Sequence, residues 1–228
     1  MQAERYPRFR GALIDMDGVL YDSMPRHALA WQEMLSGCGI SMDAVEFHRM
    51  EGMTGRDTIR RVFSLVGLPE PSDEETAALY ARKTEIFRSL GKRILMPGAA
   101  AMIDALREAG IRRVLVTGSG QRSLINAIAA DYPGAFLPGD MVTSADYDRG
   151  KPFPDPYLLG LRKLGMDASE VMVVENAPLG VRAGKAAGCF TFGISTGPLP
   201  AGELDEAGAD EVFSSMNDFA AALRGILS

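Results

Sequence analysis

From residue 96 to the end of the chain, short apolar runs without polar alternation take turns with segments of helical period, and this rhythm limits the fold more than any other feature. Arg113-Val-Leu-Val-Thr117, Val171-Met-Val-Val174 and Cys189-Phe-Thr-Phe-Gly-Ile194 read as strands covered on both faces. Weaker strand candidates lie at 140–143 and 210–213. Between them, helical patterns cover 99–109, 121–130, 156–164, 178–187 and 216–227. Asp155 ahead of Pro156 fits an N-cap, and Gly110, Gly165 and Gly188 fit helix stops. Such alternation predicts a parallel sheet wrapped on both faces, the doubly wound α/β class. Gly11-Ala-Leu-Ile-Asp15 adds a buried strand at the other end of the chain, meeting a turn at Asp-Met-Asp-Gly.

Residues 23–95 interrupt the alternation with helical patterns only, at 25–36, about 43–49, 57–66 and 74–90. A helical block placed after the first strand and returning at Met96-Pro97-Gly98 reads as an inserted domain. The expected organisation is an α/β core of 1–22 and 96–228 with an α-helical cap of 23–95, hinged at 22–25 and 95–98. With 228 residues, 46% hydrophobic and 24% charged, the chain is long enough for a core with such an insertion. The net charge of -6 is interleaved, which argues against a nucleic-acid face or a basic membrane patch. An anionic substrate would therefore need local positive charge or a metal. No apolar run has signal-peptide length or approaches the ~20 residues of a membrane span, so a soluble, cytoplasmic and monomeric protein is expected. Cys38 and Cys189 read as buried small hydrophobes in a reducing compartment.

Chemistry-bearing residues gather at strand ends, where open α/β sheets bind ligands. Asp15 and Asp17 lie two positions apart, which points both carboxylates to one side, and Gly18 lets the backbone turn away. In Val116-Thr117-Gly118-Ser119-Gly120, Thr117 or Ser119 offers a hydroxyl and a helix start offers free N–H groups, a combination suited to phosphate. Pro152 pushes Lys151 out of helical geometry, so that it can present its ammonium to a pocket. Glu175 and Asn176 put an acid and an amide at another strand end, suited to Mg²⁺, although Asn176 ahead of Pro178 equally fits a helix cap.

Asp15-Met-Asp-Gly-Val-Leu, Val116-Thr-Gly-Ser, Gly150-Lys-Pro-Phe-Pro-Asp and Val173-Val-Glu-Asn-Ala-Pro-Leu-Gly resemble, in this order, the four motifs of the haloacid dehalogenase superfamily over about residues 10–197. The resemblance implies a Rossmann-like core, an α-helical cap and Mg²⁺ as cofactor. His27 and Trp31 add a likeness to the β-phosphoglucomutase branch. Carried onto this chain, Asp15 would attack phosphorus and Asp17 would protonate the leaving oxygen and then activate water. Thr117, Gly118 and Ser119 would hold the phosphoryl group and Lys151 would neutralise it. Asp15, the Asp17 main chain, Glu175 and Asn176 would hold the metal.

Asn176 departs from the family pattern, in which most relatives carry a second acid there. In the cap, Met50-Glu51-Gly52-Met53-Thr54-Gly55-Arg56 opens with an acid where sugar-phosphate mutases carry basic residues, and the arginine is shifted to Arg56. Glu51 is either an exposed loop acid or a metal ligand delivered by cap closure. The second reading, with Asn176, resembles an inorganic pyrophosphatase of this superfamily, so pyrophosphate is the first expected substrate. The alternative is β-phosphoglucomutase or a small sugar-phosphate phosphatase, with Arg26, His27, Arg56 and Lys83 as cap candidates. A receiver-like signalling module is the reading from another class; it leaves the helical insertion and Lys151 unexplained. His48 reads as a surface histidine, and Trp31 with His27 as one cap-helix face.

Overall fold

The computed structural model describes residues 5–120, 125–137 and 139–228. Six parallel strands form one sheet: β1 (Gly11–Ile14), β2 (Arg112–Val116), β3 (Met141–Val142), β4 (Val171–Glu175), β5 (Phe190–Ile194) and β6 (Glu211–Phe213), in the order β3-β2-β1-β4-β5-β6. Both weaker strand candidates exist, as the two short edges. β1 lies centrally, with Ile14 level with Leu115 on one side and Val174 on the other. That register places Asp15, Thr117 and Glu175 at the same carboxyl edge. The order reverses between β1 and β4, which makes this edge the crevice where such sheets bind ligands.

Burial on both faces explains the unalternating strands. Ala12, Ile14, Leu115, Met172, Val174 and Phe192 share one apolar cluster with α5 (Ala99–Glu108) and α10 (Met216–Ile226). Leu13, Val114, Val116 and Val173 face the other way onto α7 (Asp155–Leu164) and, through Ala183, α8 (Pro178–Ala186). Two short helices complete the core, α6 (Ile128–Asp131) and α9 (Glu203–Glu206). The helix expected over 121–130 falls partly on 121–124, outside the described residues. Asp155 does not cap α7. Pro154 holds that position, and the Asp155 carboxylate accepts from Arg149 instead. Gly165, at φ 66°, closes the helix as expected.

Between β1 and α5 the chain is helical: α1 (Met24–Ser36), α2 (Ala44–Arg49), α3 (Gly55–Leu65) and α4 (Asp73–Ser89). Thr54 caps α3 through the Asp57 N–H, and Ser72 with Glu75 forms a reciprocal capping box on α4. Trp31, Phe47, Ile59, Ile86 and Phe87 join the apolar cluster that includes β1. No helix among the described residues is long and apolar enough to cross a membrane.

Phe192 is fully buried and its ring meets Phe9, Phe190, Phe213 and Phe219. Phe192→Ala is expected to cost about 3–5 kcal/mol of folding stability, read as a lowered denaturant midpoint; a change below about 1 kcal/mol would contradict this packing.

Candidate active site

Asp15 leaves β1 with its N–H on the Val174 carbonyl, and its Oδ1 lies 2.5 Å from Lys151 Nζ. Lys151 arrives from the turn before α7, through a cis bond to Pro152. Its ammonium also lies 2.5 Å from Glu175 Oε1, which accepts the Tyr157 hydroxyl at 2.6 Å as well. The other Glu175 oxygen accepts the N–H groups of Asn176 and Ala177. Both Glu175 oxygens are thus engaged, and one of them holds Lys151. Gly180 leaves the space for its carboxylate, because a Cβ there would collide with it.

Burial alone would lower the Lys151 pKa, but Asp15 and Glu175 raise it well above its ordinary value, so the ammonium stays charged. Asp15 is shifted upward, first by burial and then by Glu175 and Asp17, with Lys151 opposing.

Asp17 meets a different set. Its Oδ1 accepts from Ser23 Oγ at 2.5 Å and lies 3.1 Å from His27 Nε2, and His27 Nδ1 lies 2.6 Å from Lys83 Nζ. With Lys83 as donor, Nδ1 accepts and Nε2–H donates to Asp17, which fixes the tautomer. Burial would raise Asp17, but His27, Ser23 and Lys83 outweigh it and its pKa is lowered. Lys83 itself is pushed by burial down to about 7. The faces of Trp31, Phe87 and Tyr80, at 4.9, 5.2 and 6.0 Å, act the other way by favouring the cation.

The segment 51–53 after α2 sits directly over this edge. Asn176 Nδ2 donates to Glu51 Oε1 at 3.0 Å, Gly52 lies against the Lys151 stem, and the Gly52 carbonyl packs where a side chain on Gly118 would be. The Gly120 N–H donates to the Tyr80 hydroxyl at 3.2 Å. The Thr117 hydroxyl accepts from the Ser119 N–H. Between helical segment and sheet there remains a pocket of about 60 Å³, reached by Asp15, Asp17, Thr117 and Ser119 from below and by Trp31, Phe47, Thr58 and Lys83 from above.

The donor set fits a divalent cation. Asp15, Asp17 and Glu51 line one pocket, and Glu51 is raised well above its ordinary value by burial and then by Asp15. Asn176 Oδ1 is buried without a partner among the described residues. No three acids or histidines among those residues close into a complete cage. Mg²⁺ does not require one, since it keeps waters and accepts carbonyl oxygens.

Asp15, Asp17, Thr117, Gly118, Ser119, Lys151, His27 and Glu51 are therefore gathered in one place, with Glu175 and Asn176 beside them. Arg56 is not: it is exposed and paired with Asp73 at 2.7 Å. Asn176 does not cap α8, where Ala177 holds the capping position. His48 is buried, not on the surface, because α2 turns it toward Gly197 of the core. Cys38 is exposed while Cys189 is buried. Ser23, Tyr157 and Tyr80 were not anticipated; Tyr157 lies only two residues beyond Asp155 of the Gly-Lys-Pro-Phe-Pro-Asp motif.

Residues 9–188 match the haloacid dehalogenase-like hydrolases, and the chain belongs to that family. It is 34% identical to hexitol phosphatase A of Escherichia coli K12 over 87% of this chain and 88% of that one. It is 31% identical to the fructose-1-phosphate phosphatase YqaB of the same organism, over 80% and 95%. A Bacteroides vulgatus structure carrying the provisional name β-phosphoglucomutase superposes with a TM-score of 0.92 at 40% identity, over 98% of this chain and 92% of that one.

Because Lys83 is buried with a pKa near 7 and an unfolded lysine titrates near about 10.4, the folded state binds fewer protons between these values. The penalty is full below pH 7 and is relieved as pH rises. In metal-free protein, Lys83→Met is expected to gain stability over wild type at pH 6 and to lose part of that advantage by pH 9; an advantage independent of pH would show that Lys83 keeps an ordinary pKa.

Proposed function

We propose that this chain is a Mg²⁺-dependent phosphatase of small polyol or sugar phosphates, working through a phospho-Asp15 intermediate. The observation that carries the reading is the wall facing Asp15: aromatic rings and hydroxyls of Trp31, Phe47, Tyr80 and Thr58 surround a small pocket, and Arg56 lies outside it on Asp73. A mutase must hold a second phosphate opposite the nucleophile. Among the described residues the upper wall offers only Lys83 and His27 for that task. The names of the two E. coli relatives support hydrolysis of a polyol or sugar ester and lend no support to pyrophosphate.

Asp15 attacks phosphorus in line, its Oδ–P bond forming as the P–O bond to the leaving group breaks, and Asp17, which must enter this step protonated although His27 and Ser23 favour its charged form, gives that oxygen a proton. Water then attacks the acyl phosphate, passing its proton to Asp17 and releasing phosphate and free Asp15. Thr117, Gly118 and Ser119 cradle the transferring oxygens, while Lys151 offsets their charge from a position fixed by Glu175. His27 delivered by the cap keeps Asp17 oriented, so proton transfer awaits closure. Asp15, the Asp17 carbonyl, Asn176 Oδ1 and Glu51 would hold Mg²⁺, which neutralises charge on the phosphoryl group when bound.

One observation favours a second reading, inorganic pyrophosphate. Glu51 reaches Asn176 from the cap, and an acid in that place leaves little room for a large leaving group.

The decisive assay is Mg²⁺-dependent phosphate release from hexitol phosphates, fructose 1-phosphate, glycerol 1-phosphate and pyrophosphate, with glucose 6-phosphate formation from β-glucose 1-phosphate followed separately. Fastest release from an organic ester is expected. Preference for pyrophosphate would select the second reading, and efficient isomerisation would remove both. Asp15→Asn should lower turnover by about 10⁴-fold or more; wild-type rates would refute the covalent mechanism. Glu51→Gln should weaken Mg²⁺ binding by about tenfold in calorimetry, and an unchanged affinity would take Glu51 out of the metal site.

A further inference from the structure

Positive charge is concentrated a second time in this acidic chain, where 23–95 returns to the core. Arg26 of α1, Arg88 in the last turn of α4, and Lys92 and Arg93 of the return segment line a groove of about 500 Å³ against one acid, Asp131. The groove shares no lining residue with the catalytic pocket and has the volume of an ordinary small-molecule site.

Its cations are unequal. Arg26 is fixed: its guanidinium lies over the Phe87 ring at 4.3 Å and donates to the carbonyls of Phe87 at 2.9 Å and Lys92 at 3.2 Å. Its Nε is shut off from solvent without a partner among the described residues. Arg93 is engaged with both Asp131 oxygens. Arg88 and Lys92 are exposed, with no acidic partner among the described residues. A basic residue in the last turn of a helix complements the helix dipole, which accounts for Arg88 alone. Lys92 and the anchored Arg26 have no such explanation.

We propose that this groove binds a small phosphate-bearing anion. After Arg93 is balanced by Asp131, three cations remain, which matches a phosphate dianion better than a single carboxylate, and the exposed Arg88 fork suits its oxygens. An anion here touches Arg26, Arg88 and Lys92 of the helical segment and competes with core Asp131 for Arg93. Its occupancy is therefore coupled to the tie across the hinge. Charge and geometry define this groove whatever the substrate of the other pocket.

The test is a titration of the full chain with inorganic phosphate, following the backbone amides of Gly91 in the groove and Gly118 in the active site by NMR. The Gly91 amide is expected to shift with its own saturation curve. In Arg88→Ala/Lys92→Ala, both exposed positions, that curve should move to at least tenfold higher phosphate while the Gly118 curve stays in place. A Gly91 amide that does not respond, or that follows the Gly118 curve and ignores the double substitution, would overturn the proposal. A parallel titration with glycerol 1-phosphate on Asp15→Asn ranks the two sources: tighter binding of the ester assigns the groove to substrate-like esters, tighter binding of free phosphate to product.

Discussion

Everything at the carboxyl edge of the sheet depends on one buried ammonium. Lys151, fully enclosed, lies 2.5 Å from both Asp15 and Glu175. A lone charge of either sign would be prohibitively costly there, and the three become tolerable only together and only with their remaining hydrogen bonds made. Tyr157 and the amides of Asn176 and Ala177 make them for Glu175. The arrangement gives up stability in order to hold two carboxylates and their counter-charge in fixed register, so the site's rigidity is a property of its electrostatics as much as of the sheet.

The core was legible because its signals are local or periodic. Unalternating apolar runs require two covered faces, and the residues that end them must then share an edge, so Asp15, Thr117 and Glu175 could be placed together before any tertiary contact was known. What could not be read is which neighbour each side chain chooses. The position of Glu175 at a strand end does not reveal that four donors meet its carboxylate. Arg56 sits on the right loop, but at the start of α3 it is turned toward Asp73, where an exposed pairing satisfies it. His48 looked like surface because a six-residue helix has no strong apolar face of its own; the core packed against it buries it.

The helical segment supplies what the sheet lacks. His27 and Lys83, 56 positions apart, meet only through the packing of α1 on α4, and together they set the ionisation of a core aspartate. Tyr80 reaches the Gly120 amide, and Arg49 reaches Glu203 across the same boundary. The sheet therefore carries the two aspartates, while the helices carry the groups that orient the second of them.

The bond between Glu51 and Asn176 joins residues 125 positions apart and lets one side of the boundary sense the other's charge. An amide at 176 welcomes a carboxylate descending from the helices. A carboxylate at 176 would repel it unless a cation lay between. The two positions are thus written as a complementary pair: a chain that changes one without the other sets two like charges, or none, against each other across that contact.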